Sequence, residues 1–234
     1  MRRVAPAPSG PPGTPSGHAL DFARILLAKA EDLSFRKTER TRLRILSSIA
    51  RELMAGVERT DLKVADVTRK AGLAHGTFYR YFTDMPAATA ALIEAFSGFV
   101  GETLAGARDG EAGSRERVRG ATLLYARLFR RNAGLMRCLL ELGGDGLPFA
   151  ASYQRLNRDW YGRVAAAIAR RRGGATAPRD LLPAAYGLGG MIDDFLRQVY
   201  LRHEPALAHL AQDEEEIAEI LTDLWCFGAY GRKE

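Results

Sequence analysis

The sequence predicts an all-α protein in which a small three-helix unit built around a helix-turn-helix precedes a larger helical region. Three observations carry this reading. Apolar residues recur at three- and four-residue spacing along most of the 234-residue chain, and no segment alternates as a half-buried strand would. Two short helical patterns meet at Gly72, where a turn of a few residues makes a helix-turn-helix. Finally, the stretch Arg36–Arg80 holds eleven Lys/Arg against five Asp/Glu, a surplus of six that equals the formal net charge of +6 of the whole chain. A surplus concentrated beside a docking motif suits contact with phosphates better than general solubility does.

Residues 1–35 form an N-terminal extension. VAPAPSGPPGTPSG offers too little side chain to offset its ordering entropy and is expected to be disordered. HALDFARILLAKAEDLSF follows, and Phe22, Ile25 and Leu26 allow a short, weak amphipathic helix. Arg2, Arg3 and Arg24 would add phosphate contacts if this arm lay near a polyanion; a passive extension is the alternative.

Residues 36–84 make the second unit. From Thr38 to Gly56, the positions Leu43, Leu46, Ile49, Ala50, Leu53 and Met54 mark an amphipathic helix with a basic outer face. A shorter helix from Val64 to Ala71 buries Val64, Val67 and Thr68 or Ala71, and Gly72 turns the chain. LAHGTFYRYFTD, Leu73 to Asp84, then forms the third helix. Phe78 and Phe82 are one turn apart and should pack on the first helix, which leaves His75, Gly76, Thr77, Tyr79 and Arg80 facing outward. In a helix-turn-helix this helix enters the major groove. There Arg80 can be bidentate to guanine O6 and N7, with plain phosphate contact as the alternative. Thr77 can reach a phosphate or a thymine methyl, His75 can add a contact, and Gly76 lets the backbone approach DNA.

Residues 85–234 form the third unit. Thr83 or Asp84 caps a helix that tolerates Pro86 in its first turn and carries the seam Leu92, Phe96, Phe99 and Val100. GARDGEAGS, from Gly106 to Ser114, reads as a loop joining functional parts. Ser114 opens a helix to about Arg131, a short one covers Leu135 to Leu142, and a long one runs from Pro148 to about Arg172. Another extends from Pro178 to about His203, closed by Pro205. The last covers Asp213 to Gly228, with Asp213 and Glu216 at capping-box spacing.

Other classes find little support. No apolar run approaches the eighteen or so residues of a membrane span, and the N-terminus has no signal-like core, so a cytoplasmic location is expected. Cys138 and Cys226 lack metal-ligand spacing and read as buried thiols; no metal or cofactor is expected. The adjacent carboxylates Asp193 and Asp194 point about 100° apart on a helix, poor geometry for paired acid–base work, and no enzyme is expected.

The stretch AGLAHGTFYRYFTD resembles the tetracycline-repressor (TetR) family of bacterial transcription regulators. Ala71, Gly72, Gly76, Thr77, Phe78, Tyr79, Tyr81 and Phe82 match its pattern, and the resemblance extends over Arg42–Phe96. It implies that Tyr79 and Tyr81 contact phosphates and position the helix. Three positions depart from the pattern. Ala74 replaces a small hydroxyl that would cap the third helix, a loss of about 1 kcal/mol. Lys63 stands where Thr or Ser is usual and is expected to contact a phosphate instead. Met85 replaces a lysine that many relatives use for a phosphate contact, with the Thr83 hydroxyl or backbone amides as the alternative donors. The DNA-binding set is thus Lys63, His75, Gly76, Thr77, Tyr79, Arg80 and Tyr81.

The resemblance further implies a ligand pocket in the helices after the reader and a homodimer built by the last two. Tyr153, Leu156, Trp160, Val164 and Ile168 form a stripe flanked by Gln154, Asn157 and Tyr161. Ordinary core packing is the alternative reading of that stripe. The pocket candidates are Tyr125, Phe129, Met136, Phe149, Tyr153, Asn157, Trp160, Tyr161 and Tyr186. Gly187, Gly189 and Gly190 permit close helix approach, and Ile192, Phe195, Leu196, Val199, Ile217, Leu221, Leu224 and Trp225 are the dimer candidates, with burial inside one chain as the alternative. The expectation is a homodimeric repressor released from a palindromic double-stranded operator by a small-molecule effector. A DNA-binding regulator or docking module without ligand control is the alternative.

Overall fold

In the computed structural model, which describes residues 17–106, 114–142 and 148–231, helix α1 (Phe22–Glu31) starts at Asp21, whose carboxylate accepts the Arg24 N–H at 3.0 Å. This segment, expected to be at most weakly helical, is a regular helix. Ala23 and Ala30 widen the Phe22 and Leu26 stripe, and all four are buried. They pack along α2 (Lys37–Met54), from which Ser47 Oγ donates to the Ala23 carbonyl at 2.8 Å and Arg40 Nε to that of Ala30 at 2.9 Å. The Phe22 ring stacks on Phe99 at 5.1 Å and tilts against Phe96 at 5.4 Å. The arm before residue 17, most of the Gly106–Ser114 loop, and the side chains of Phe149 and Tyr153 lie outside the described residues.

Helix α3 (Val64–Lys70) follows α2, and the chain then makes a six-residue 3-10 helix, His75–Arg80. Helix α4 (Met85–Gly106) is opened by Asp84, whose carboxylate accepts the Ala87 N–H at 2.7 Å. Of the two expected caps, Asp84 makes this bond. Then come α5 (Arg115–Arg131), capped by Ser114, α6 (Ala133–Leu142), α7 (Pro148–Arg171), α8 (Leu182–Tyr200) and α9 (Glu214–Tyr230). There is no strand among the described residues.

In the C-terminal half, two elements differ from expectation. The helix expected from Pro178 to His203 is a 3-10 turn, Pro178–Leu181, followed by α8. It ends at Tyr200, and His203, which was expected to be its last residue, adopts a positive φ of 52° that a helix does not accommodate. Beyond it, Pro205–Gln212 is a further 3-10 segment opened by the Glu204 carboxylate, where a plain closing turn was expected. The Asp213–Glu216 cap is also one-sided. Asp213 accepts the Glu216 N–H at 2.9 Å, while its own N–H goes to the Leu210 carbonyl.

One core runs through α1, α2, α4, α5, α6 and facing parts of α8 and α9, and a smaller one joins α7, α8 and the end of α9. Ile45 and Ile49 of α2 share the first core with Leu92, Phe129 and Leu135, so apolar packing is continuous from the N-terminal helices into the C-terminal half. Outside these cores, α5 and α9 are tied by ion pairs: Arg115 reaches Glu219 at 2.6 Å and Asp223 at 2.9 Å, and Arg119 and Arg127 both reach Glu215 at 2.7 Å.

Candidate nucleic-acid interface

Three contacts hold α3 and the following turn on α2. Ser48 Oγ donates to the Val67 carbonyl at 2.9 Å, Lys70 pairs with the mostly buried Glu52, and Val67 is fully buried. Gly72 then adopts φ +67°, a left-handed conformation that costs a residue with a Cβ about 1 kcal/mol or more. This reversal lets Leu73 N–H return to the Thr68 carbonyl at 2.9 Å.

The third element of the helix-turn-helix unit differs from expectation in kind. Rather than an α-helix it is the 3-10 segment His75–Arg80, closed by i to i+3 bonds such as Thr77 N–H to Ala74 carbonyl at 2.9 Å. Ala74 occupies the capping position and supplies no side-chain acceptor. Tightening the turn is one way in which uncapped N–H groups find partners.

Its two faces are sharply divided. Phe78 is fully buried and Phe82 nearly so, their rings 5.7 Å apart in the main core, with the Arg42 guanidinium 5.3 Å above the Phe82 ring. On the other side His75, Gly76, Tyr79 and Arg80 are exposed and Thr77 half-buried. Tyr79 is 55% exposed even though its ring leans edge-on against His75 at 5.7 Å and Phe78 at 5.4 Å. Open space lies where a Cβ of Gly76 would project. Tyr81 is half-buried against the core, and Lys63 is exposed at the start of α3. The DNA-binding candidates from His75 to Tyr81 thus sit on one short element and its C-cap, packed against α3, while Lys63 precedes α3.

The pocket candidates are not gathered in this way. Phe129 and Met136 are fully buried in the main core, where Tyr125 leans edge-on against Phe129 at 6.1 Å and donates its hydroxyl to Asp193 at 2.7 Å. Tyr161 belongs to the smaller core and meets the exposed Tyr186 ring at 4.2 Å, while Trp160 carries Arg163 over its ring. Asn157 is half-buried. A cleft of 390 Å³ lies elsewhere, lined by Arg137, Leu140, Glu141, Arg197, Leu201 and Arg202. Sequence reading missed this cleft, because arginines scattered over α6, α8 and the turn after α8 carry no periodic signal.

Among the dimer candidates, Leu196, Val199, Ile217 and Leu221 are buried in the chain's own core, and Trp225 lies in the smaller one. Ile192 and Phe195 are half-buried. Leu224 is turned the other way and is 48% exposed; Phe227, one helical turn further on, is 66% exposed. Of the three glycines, Gly189 makes the close approach: a Cβ there would lie 2.3 Å from the Tyr161 hydroxyl. Gly187 and Gly190 face open space.

No family model matches the sequence, and no curated protein sequence does. Solved structures share the fold. A TetR-like transcriptional regulator from Rhodococcus sp. RHA1 superposes with a TM-score of 0.61 at 18% identity, over 82% of this chain and 97% of that one. The transcriptional regulator FadR from Bacillus subtilis, solved in complex with stearoyl-CoA, gives 0.59 at 16% identity, over 80% and 98%. The TetR family transcriptional regulator PfmR from Thermus thermophilus gives 0.59 at 19%, over 78% and 96%. The chain therefore has the all-α fold of these regulators.

Proposed function

We propose that the chain is a DNA-binding transcription regulator of the TetR family. The reader is residues 36–84, and residues 85–234 form the ligand-responsive and dimerising part. The observation that carries this reading is the division of His75–Arg80, with Phe78 sealed in the core beside an exposed Tyr79 and Arg80. An element anchored from behind that displays a polar, aromatic and cationic flank is equipped to enter a groove. Arg80 reads a base, while Tyr79, Tyr81, Thr77 and Lys63 hold phosphates and His75 adds a flanking contact.

The active species is a homodimer that pairs α8 and α9 with their copies through the exposed Tyr186, Leu224 and Phe227, with Gly187 and Gly190 leaving room for a partner helix. Two-fold symmetry then sets the two readers about one DNA turn, ~34 Å, apart on a palindromic operator. The protein acts in the cytoplasm as a repressor. A small-molecule effector releases it by favouring a domain arrangement whose reader spacing no longer fits DNA. The stearoyl-CoA bound to the Bacillus subtilis regulator supports an effector of some kind. The burial of Phe129 and Met136 in the core favours a second reading, a regulator without ligand control.

Selection from a random duplex library, followed by gel shifts at graded salt, tests the proposal. Enrichment of an inverted repeat bound with steep salt dependence is expected. Failure to enrich any sequence overturns it. A thermal-shift ligand screen separates the two readings, since a ligand at one hundred times its Kd adds about 2.7 kcal/mol of apparent stability.

A further inference from the structure

We propose that the cleft where α6 meets the end of α8 binds a small amphiphilic anion, a phosphate- or carboxylate-headed molecule with a short apolar body, in competition with Glu58 for Arg137. Three guanidinium groups, those of Arg137, Arg197 and Arg202, line this concavity against a single carboxylate, Glu141. Like charges gathered around one hollow repel one another, and an anion between them relieves that repulsion. Arg197 is countered loosely, by Asp194 at 3.7 Å and by the charge of Asp193, and Arg202 has no ion pair among the described residues. Arg137 reaches Glu58 at 2.7 Å through one nitrogen, which leaves other N–H donors of its five for an anion.

The remaining lining is what makes the site amphiphilic. Leu140 and Leu201 give the hollow an apolar wall, and its 390 Å³ falls within the range of small-molecule pockets. Guanidinium forks match phosphate and carboxylate geometry equally, so the headgroup is left to the measurement.

The cleft is also joined to the N-terminal helices. Glu58 stands in the turn between α2 and α3, and Gly134, one helical turn before Arg137 on α6, lies against the Leu53 carbonyl of α2. An anion that draws Arg137 away from Glu58 frees the turn that leads into α3. That this alters DNA binding rests on the regulator reading; the binding itself does not.

Isothermal titration of the full-length protein with hexyl phosphate, hexanoate and hexan-1-ol tests the site without DNA. At least one anion should bind saturably at one site and the alcohol should not; which anion binds more tightly identifies the headgroup. Arg202→Ala should weaken that affinity about tenfold or more, Arg202→Lys should recover part of it, and Arg170→Ala, an exposed arginine on α7 outside the cleft, should change nothing. Glu58→Gln, which removes the competitor for Arg137, should tighten binding. Thermal unfolding verifies that each variant is folded. The proposal is overturned if neither anion binds saturably, if Arg202→Ala and Arg170→Ala behave alike, or if Glu58→Gln leaves the affinity unchanged. Anion binding as stated together with no selected operator would keep the cleft and remove the regulator reading instead.

Discussion

The backbone N–H of Phe22 donates to the side-chain oxygen of Asn132 at 3.0 Å, across 110 residues of chain. The same amide gives its two protons to the carbonyls of Leu20, at 2.7 Å, and Leu128, at 2.9 Å. Asn132 is fully buried at the junction of α5 and α6, so a single side chain fastens the start of α1 to the C-terminal half. What composition suggests is a loose extension is thus held as part of the core from Leu20 onward.

Asn132→Leu should strand the Leu20 carbonyl and the Phe22 N–H, at a cost of about 3 kcal/mol. Urea unfolding measures the loss, and hydrogen exchange should show α1 losing protection before the other helices. Unchanged stability would mean that water replaces the amide.

Gly134 makes a second such joint. A Cβ there would lie 2.1 Å from the Leu53 carbonyl oxygen and 2.5 Å from its carbon. Both neighbours are backbone, so neither can rotate aside. Gly134→Ala should therefore force α6 away from α2 and cost about 1–3 kcal/mol, read as a fall in Tm; an unaltered Tm would show that the helices separate freely.

These joints mark where the sequence stops being legible. Helix positions follow from local signals, as at Ser114, Asp84 and Gly72, where the cap or turn residue lies next to what it serves. The polar flank of His75–Arg80 is readable for the same reason, since the anchoring phenylalanines sit within one turn of it. Asn132, Gly134 and Arg137 act on partners tens of residues away, and nothing in their immediate surroundings announces those partners. The dimer seam is ambiguous for a related cause: Ile217, Leu221 and Leu224 are equally apolar, and only packing decides which faces outward.

The missing cap at Ala74 can be restored. Ala74 has extended backbone with φ −65° and ψ 143° and is exposed, so Ala74→Ser should place an acceptor on the free N–H groups of the His75–Arg80 turn. A gain of about 1 kcal/mol is expected in thermal unfolding. A loss would show that the turn cannot take the capped geometry.

Two carboxyls give opposite pH responses. Burial holds the Asp193 carboxyl above the usual aspartate range, with Tyr125 only partly offsetting it. Its contribution to stability is fully present below the unfolded value and is lost as pH rises through the folded one. Glu219, held below the usual range by hydrogen bonds from Arg115 and then Arg119, contributes above its unfolded value and is lost as pH falls through the folded one. Asp193→Asn keeps an acceptor for Tyr125 and should raise Tm at pH 7 while leaving the acid-side loss intact. A lower Tm at pH 7 would contradict this assignment.

The most direct test of the account compares wild type and Arg80→Ala by fluorescence anisotropy on the selected operator and on a scrambled duplex of equal length. Wild type should prefer the operator by about a thousandfold or more. Arg80→Ala should lose about 1–3 kcal/mol on the operator and little on the scrambled duplex. Equal affinity of the wild type for both duplexes, or binding to neither, would contradict the claim that the exposed flank of His75–Arg80 reads DNA.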